Sequence, residues 1–196
     1  NGPVGIIIAK QWGELQIPAC LCGFSVEGSQ GTTHWDVTAG KCNYQEVWAW
    51  AGPCALTDKT MRCYKEYVKL YGGYDGGSCG GYDNVIPLAA FIDAADSLDP
   101  DAIAAQIPKI EVDSQGGHFS WTGPEAEVAH DVKPGPNYVH NVSIQWQNGE
   151  PRVVWPDGRA PNPVLKMGTG WEGLRYEGTV DYEIPPWVVE YWKGRS

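Results

Sequence analysis

Between residues 138 and 147 the chain alternates with a period of two: Tyr138, His140, Val142, Ile144 and Trp146 interleave with Val139, Asn141, Ser143, Gln145 and Gln147. Successive side chains of a strand point to opposite faces, so this period specifies a strand. Asn148-Gly149 follows, the preferred two-residue hairpin turn because both central positions need positive φ, and residues 151–155 supply the return strand. An antiparallel hairpin is thereby fixed near the C-terminal third. Upstream the period is nearer 3.6. Thr57 is the predicted N-cap of a helix over 58–71, whose apolar stripe is Met61, Tyr64, Val68 and Tyr71. A change of period within one chain places it in the mixed α/β class.

The other segments are expected as follows. Residues 4–15, with Ile6, Ile7, Ile8, Trp12 and Leu15, read as the end of a helix packed on a sheet. The run 17–23 reads as a buried strand opening into a polar loop over 24–33, the place where open α/β sheets carry ligand sites. Residues 44–50 form another strand, ended by Gly52-Pro53. The glycines of 71–81 predict a loop, and 84–95 a helix apolar nearly all round and therefore buried, with Pro87 tolerated in its first turn. Asp99-Pro100 offers an N-cap followed by Pro at the first helical position, starting a short helix to about residue 107. Residues 156–170 are a Pro/Gly/Asn-rich loop, and the Trp-rich stretch 171–196 carries no clear period.

Composition excludes several roles. Net charge is −10, with no window of five or more basic residues, which disfavours nucleic acid and other polyanions. Gly (25) and Pro (15) make about a fifth of the chain, so it is rich in turns, yet 42% hydrophobic residues suffice to form a core. No apolar run approaches the roughly 20 residues needed to span a bilayer. The chain starts Asn1-Gly2-Pro3 without Met, so a processed terminus (a removed signal peptide) or a place within a longer polypeptide is expected. The six cysteines, Cys20, Cys22, Cys42, Cys54, Cys63 and Cys79, are an even number suited to disulfides in an oxidising compartment; the alternative is reduced thiols acting as small hydrophobes. Only Cys20 and Cys22 are close in sequence, and no Cys-x-x-Cys or His pair suggests zinc.

Chemistry-bearing motifs are few. Gly23-Phe-Ser25-Val-Glu27 approaches the hydrolase nucleophile elbow, but Glu27 stands where a small residue is required. The glycine-rich 72–81 segment has no Lys and no phosphate-cradle spacing. With no paired acid and base, metal cluster or credible nucleophile, the chain is expected to be non-enzymatic and to need no cofactor. Glu27, in a loop beyond a strand, is suited to pairing with a ligand ammonium in a closed cleft. Trp35, Trp48 and Trp50 are core residues by default, one of which lines a pocket for an apolar or cationic ligand if such a pocket exists. Asn141-Val-Ser143 is a glycosylation sequon on a strand position facing away from the core.

Taken in order, Lys10 to Pro18, Gly23 to Gly28, Leu56-Thr-Asp-Lys-Thr60 with Tyr67 to Gly72, Tyr82-Asp-Asn-Val85, Ala94 to Ala102 and Val142 to Pro156 resemble the C-terminal part of branched-chain amino acid ABC transporter substrate-binding proteins, of type I periplasmic-binding-protein fold. The resemblance implies a partial two-lobed α/β fold over residues 1–156, comprising the second lobe and part of the first, and a C-terminal extension over 157–196. It further implies an extracytoplasmic protein that closes over a branched-chain amino acid or related small amine and presents it to a membrane permease. Glu27 would hold the ligand ammonium, Ser25 would add a polar contact, and Tyr82 would face the cleft just before its helix, with Trp35 nearby. The family's opening segments are missing from the sequence, so an N-terminal segment or companion chain is expected to complete the fold. The competing expectation is an extracellular structural or assembly module derived from that fold, without transport.

Overall fold

A computed structural model describes residues 3–29, 31–73, 76–164 and 168–195, and the side chains of all of these except 31, 32 and 76–79. In chain order the elements are α1 (Pro3–Leu15), α2 (Gly31–Val37), β1 (Glu46–Ala49), α3 (Thr60–Tyr71), α4 (Gly76–Ala95), α5 (Pro100–Ala104), β2 (Val112–Ser114), β3 (Gly117–Phe119), β4 (Val142–Gln147), β5 (Glu150–Trp155) and α6 (Pro186–Trp192).

The hairpin forms as its sequence specifies. β4 and β5 pair antiparallel, Asn148 and Gly149 both take positive φ (54° and 94°), and β1 adds to the other edge of β4 to give the order β1-β4-β5. A β-bulge between Ser143 and Ile144 lets Trp155 sit opposite Ser143. The second sheet is the short β2-β3 pair.

Three apolar clusters hold these pieces. Val47, Ala49, Cys54, Val142, Ile144 and Val153 pack together on the main sheet, joined by Leu56 and Tyr176. Phe91 of α4 meets Phe119, Trp121 and Val139, with Phe91 edge-on to Trp121 at 4.9 Å between centroids. Ala9 and Cys42 close over Trp146, whose indole N–H donates to the Gly28 carbonyl at 2.8 Å. Each large side chain removed from water in this way contributes roughly 1.5–3 kcal/mol. Between the clusters lies a polar junction. Buried Asp83 of α4 accepts hydrogen bonds from Trp50 Nε1 (2.5 Å), Gln115 Nε2 (2.8 Å) and the Gly116 amide (3.2 Å). It thus joins the end of β1, the first turn of the small sheet and α4.

The C-terminal stretch is tied back onto the sheet. Buried Gln145 donates from Nε2 to the carbonyls of Tyr44 and Glu183, while its Oε1 accepts from the Glu183 amide. The Trp187 and Trp192 indoles donate to the carbonyls of Ile17 and Pro18, beyond the end of α1.

Several local expectations are corrected. Residues 17–23 are not a buried strand: Cys20 and Cys22 are exposed, and toward β1 the segment offers the Leu21 and Gly23 carbonyls alone, to the Glu46 and Trp48 amides. That alternate bonding leaves it as a strand-like strip at the sheet edge. The helix expected from 58 begins at Thr60, and its N-cap residue is Lys59. Thr57 Oγ1 donates instead to the Ser114 carbonyl at 2.6 Å, anchoring the helix start to β2. Much of the glycine segment is helical, because α4 begins at Gly76 and places Pro87 well inside the helix; residues 74 and 75 of the expected loop lie outside the described residues. Propensity yields here to cooperative extension of the apolar helix downstream. Nor is α4 buried all round, since Val85 and Leu88 face solvent while Phe91 packs inward. The expected cap and first-position proline of α5 do form, Asp99 accepting from the Asp101 and Ala102 amides, but α5 stops at Ala104 and a separate 3-10 turn covers Ile107–Lys109.

Candidate functional site

β1 carries Glu46 and Trp48 on the face opposite its buried Val47 and Ala49. Trp48 pairs in register with Ser143, and Ser143 with Trp155, so one row across the sheet reads Trp–Ser–Trp. This row is part of a cleft of about 1100 Å³. Its aromatic wall is Trp48, Trp50, Trp155, Trp171, His140 and Tyr182; its charged lining is Glu46, Asp131, Asp157 and Arg159.

The wall is set by packing. Trp155 and Trp171 lie 4.6 Å apart, His140 meets Trp171 edge-on at 4.8 Å, and His140 stacks on Tyr176 at 5.7 Å. His140 Nδ1 faces the Asn141 carbonyl at 2.9 Å and must donate to it, which leaves Nε2 to accept the Tyr176 hydroxyl proton at 2.8 Å. Burial pulls the His140 pKa below its ordinary value, so the imidazole is neutral at pH 7. Trp48, in contrast, is 54% exposed: an indole on a sheet face with no covering element among the described residues. Arg159 is engaged, its Nε 3.0 Å from Asp157 Oδ2. Among the described residues no Lys or Arg forms an ion pair with Glu46 or Asp131. Tyr182 is held neutral by burial, then by the neighbouring Cys20 and Glu46.

The residues singled out from sequence lie elsewhere. Glu27 opens the 3-10 turn Glu27–Ser29. Its Oε2 is 3.4 Å from Ser25 Oγ, which also accepts the Gly28 amide, and a Cβ on Gly5 of α1 would stand 3.1 Å from the same oxygen. Glu27 and Ser25 therefore sit against α1, and neither lines the cleft. Trp35 stacks on Trp146 at 6.2 Å behind the same turn. Beside them His34 is buried with Nε2 2.8 Å from Gln45 Oε1; burial lowers its pKa against the opposing effects of Gln45 and Glu27. Tyr82 does not precede a helix but lies within α4, 38% exposed. The structure brings Ser25, Glu27 and Trp35 into one neighbourhood and places Tyr82 in another, on the helix that carries the Asp83 junction.

Asn141 is exposed, as its sequon requires. Cys20, Cys22, Cys42 and Cys54 are free thiols, so the disulfides expected from the even count do not form among these four; Cys79 lies outside the described side chains. Burial pushes Cys42 up to about 11 and Cys54 up to about 12, consistent with inert core thiols. No cluster of three or more His, Cys, Asp or Glu suited to a metal occurs among the described residues, and none of their helices is long and apolar enough to cross a membrane.

With this geometry in place, comparison with known proteins identifies the fold. No protein-family model matches the sequence, and no curated protein matches it. Solved structures do. A leucine-binding protein from Thermotoga maritima superposes with a TM-score of 0.60 at 19% identity, over 77% of this chain and 41% of that one. A branched-chain amino acid ABC transporter protein from Silicibacter pomeroyi gives 0.59 at 13% identity, over 93% and 44%. The chain has the fold of part of a type I periplasmic binding protein, and it spans less than half the length of these neighbours.

Proposed function

We propose that the chain is part of an extracytoplasmic solute-binding protein and that the Trp48–Ser143–Trp155 cleft seats its ligand, an amino acid or related small amine. The observation that carries this reading is an open, aromatic-walled cleft on a fold shared with a leucine-binding protein. Apolar walls with a few charged groups are the usual composition of small-molecule sites. The remaining parts of the reading are delivery of the ligand to an ABC permease and completion of the two lobes by a further segment or companion chain. They are supported by the fold likeness and by the 41–44% share of the neighbours' length.

Isothermal titration with Leu, Ile, Val and small amines tests the reading. Saturable binding weakened by Trp48→Ala supports it, and absence of binding to every member of the panel refutes it. Glu27→Gln, in the same titration, tests the role assigned to Glu27 from sequence. Loss of affinity there with Trp48→Ala silent would move the site to the Ser25–Glu27 turn.

A second reading, an assembly module, is supported by the exposed apolar residues Val4, Ile7 and Ile8 on α1 and Val85 and Leu88 on α4. Light scattering distinguishes it: concentration-dependent self-association that Ile7→Lys abolishes favours assembly, whereas a monomer at all concentrations does not.

A further inference from the structure

Resting on the solute-binding reading, we infer that the cleft selects an organic cation, a methylated or quaternary ammonium group, rather than an amino-acid zwitterion. Two features of the cleft point this way.

The first is the aromatic row. Neighbouring strands lie about 4.8 Å apart, so Trp48 on β1 and Trp155 on β5, two strands away, spring from backbones about 10 Å apart. Ser143, between them in the row and nearly buried, lines the cleft with them. Both indoles line the cleft on either side of Ser143, and a ring face attracts a positive charge within roughly 6 Å of its centroid. A methylated ammonium presents its charge through an apolar shell. It therefore suits indole faces better than a strongly hydrated primary ammonium does.

The second is the sign of the lining charge. Glu46 shares the Trp48 face of β1, one pleat repeat away, and Asp131 also lines the cleft. Among the described lining residues the one Lys or Arg is Arg159, whose Nε is paired with Asp157, and His140 donates to a backbone carbonyl and accepts from Tyr176. An amino-acid carboxylate would enter a cleft whose described lining carries three carboxylates, Glu46, Asp131 and Asp157, against one guanidinium already paired with Asp157. A ligand carrying only positive charge meets Glu46 and Asp131 without that penalty.

Titration of the full chain with choline, tetramethylammonium, leucine and 3,3-dimethylbutan-1-ol, the uncharged isostere of choline, tests the inference. Choline is expected to bind at least about tenfold more tightly than the isostere, and Trp48→Ala and Glu46→Gln each to weaken choline by about tenfold. Both positions are on the open face of β1, and near-UV circular dichroism confirms that each variant folds. Equal binding of choline and its neutral isostere overturns the inference. Leucine binding without choline binding overturns it and leaves the solute-binding reading standing; binding of neither also overturns it, and the solute-binding reading falls with it only if Ile, Val and the small amines fail as well.

Discussion

Replacing Asp83 by Ala is the sharpest structural perturbation available in this fold. The carboxylate is 3% exposed and accepts three hydrogen bonds, from Trp50, Gln115 and Gly116. Removing it takes this acceptor from three inward-facing donors. Each orphaned donor costs about 1–3 kcal/mol, and allowing for partial relaxation the total is about 3–5 kcal/mol. With a urea slope near 2 kcal/mol/M, the unfolding midpoint falls by about 2 M with the slope unchanged. Asp83→Asn retains one oxygen and is expected to lose about half as much, because its amide group confronts at least one of the same donors. Gly116→Ala attacks the junction from the other side, since its Cβ would stand 2.6 Å from Asp83 Oδ2 and 2.7 Å from Trp50 Nε1. It should destabilise by about 1–3 kcal/mol. A loss below about 1 kcal/mol for Asp83→Ala would show that the junction does not join β1, the small sheet and α4 as described.

Other consequences follow from the same geometry. Gly80→Ala and Gly81→Ala in α4 meet no atom within 4 Å, so each should stabilise by about 0.5–1 kcal/mol in thermal unfolding. In an NMR titration His118, facing Asp113 and Glu111, should titrate above its ordinary value, and His34 and His140, depressed by burial, below theirs. The signs then differ. The His118 contribution is complete below about pH 6.5 and is lost as pH rises through its folded value. The two buried imidazoles lower stability as pH falls below about 6.5, because the unfolded state binds their protons more readily. The His118 part should be small, because the ring is 36% exposed and screened. Under native conditions iodoacetamide should label Cys20 and Cys22 and spare Cys42 and Cys54, with protection lost on unfolding.

What the sequence made legible was local. The β4-β5 hairpin combines a strict period with a turn that only a few dipeptides satisfy, and Asp99-Pro100 is likewise a self-contained signal. The start of α4 was illegible because glycine propensity argues for a loop, whereas the helix is carried backwards from apolar residues ten or more positions downstream. The strip 17–23 resembles a strand because its composition is apolar, but it meets β1 through the Leu21 and Gly23 carbonyls alone, while the Ile17, Pro18 and Ala19 carbonyls accept from the Trp187, Trp192 and Trp12 indoles. The cleft is assembled from β1, the 131–143 region, the end of β5, Trp171 and Tyr182, so its depth is a tertiary property. One signal was present nevertheless: Glu46, Trp48 and Trp50 at period two put an acid and two indoles on one strand face. The motifs point also to Glu27, which lies beside α1 and outside this cleft, with Ser25 and His34 as its neighbours.

The indole N–H signals of the ten tryptophans, assigned by single Trp→Phe variants, locate the ligand directly. Addition of choline should shift Trp48 and Trp155, while Trp12 and Trp146, whose N–H groups are bound to the Ala19 and Gly28 carbonyls, stay in place. Shifts confined to Trp35 and Trp146, behind the Glu27 turn, or none at any of the ten, would contradict the assignment of the aromatic cleft as the binding site.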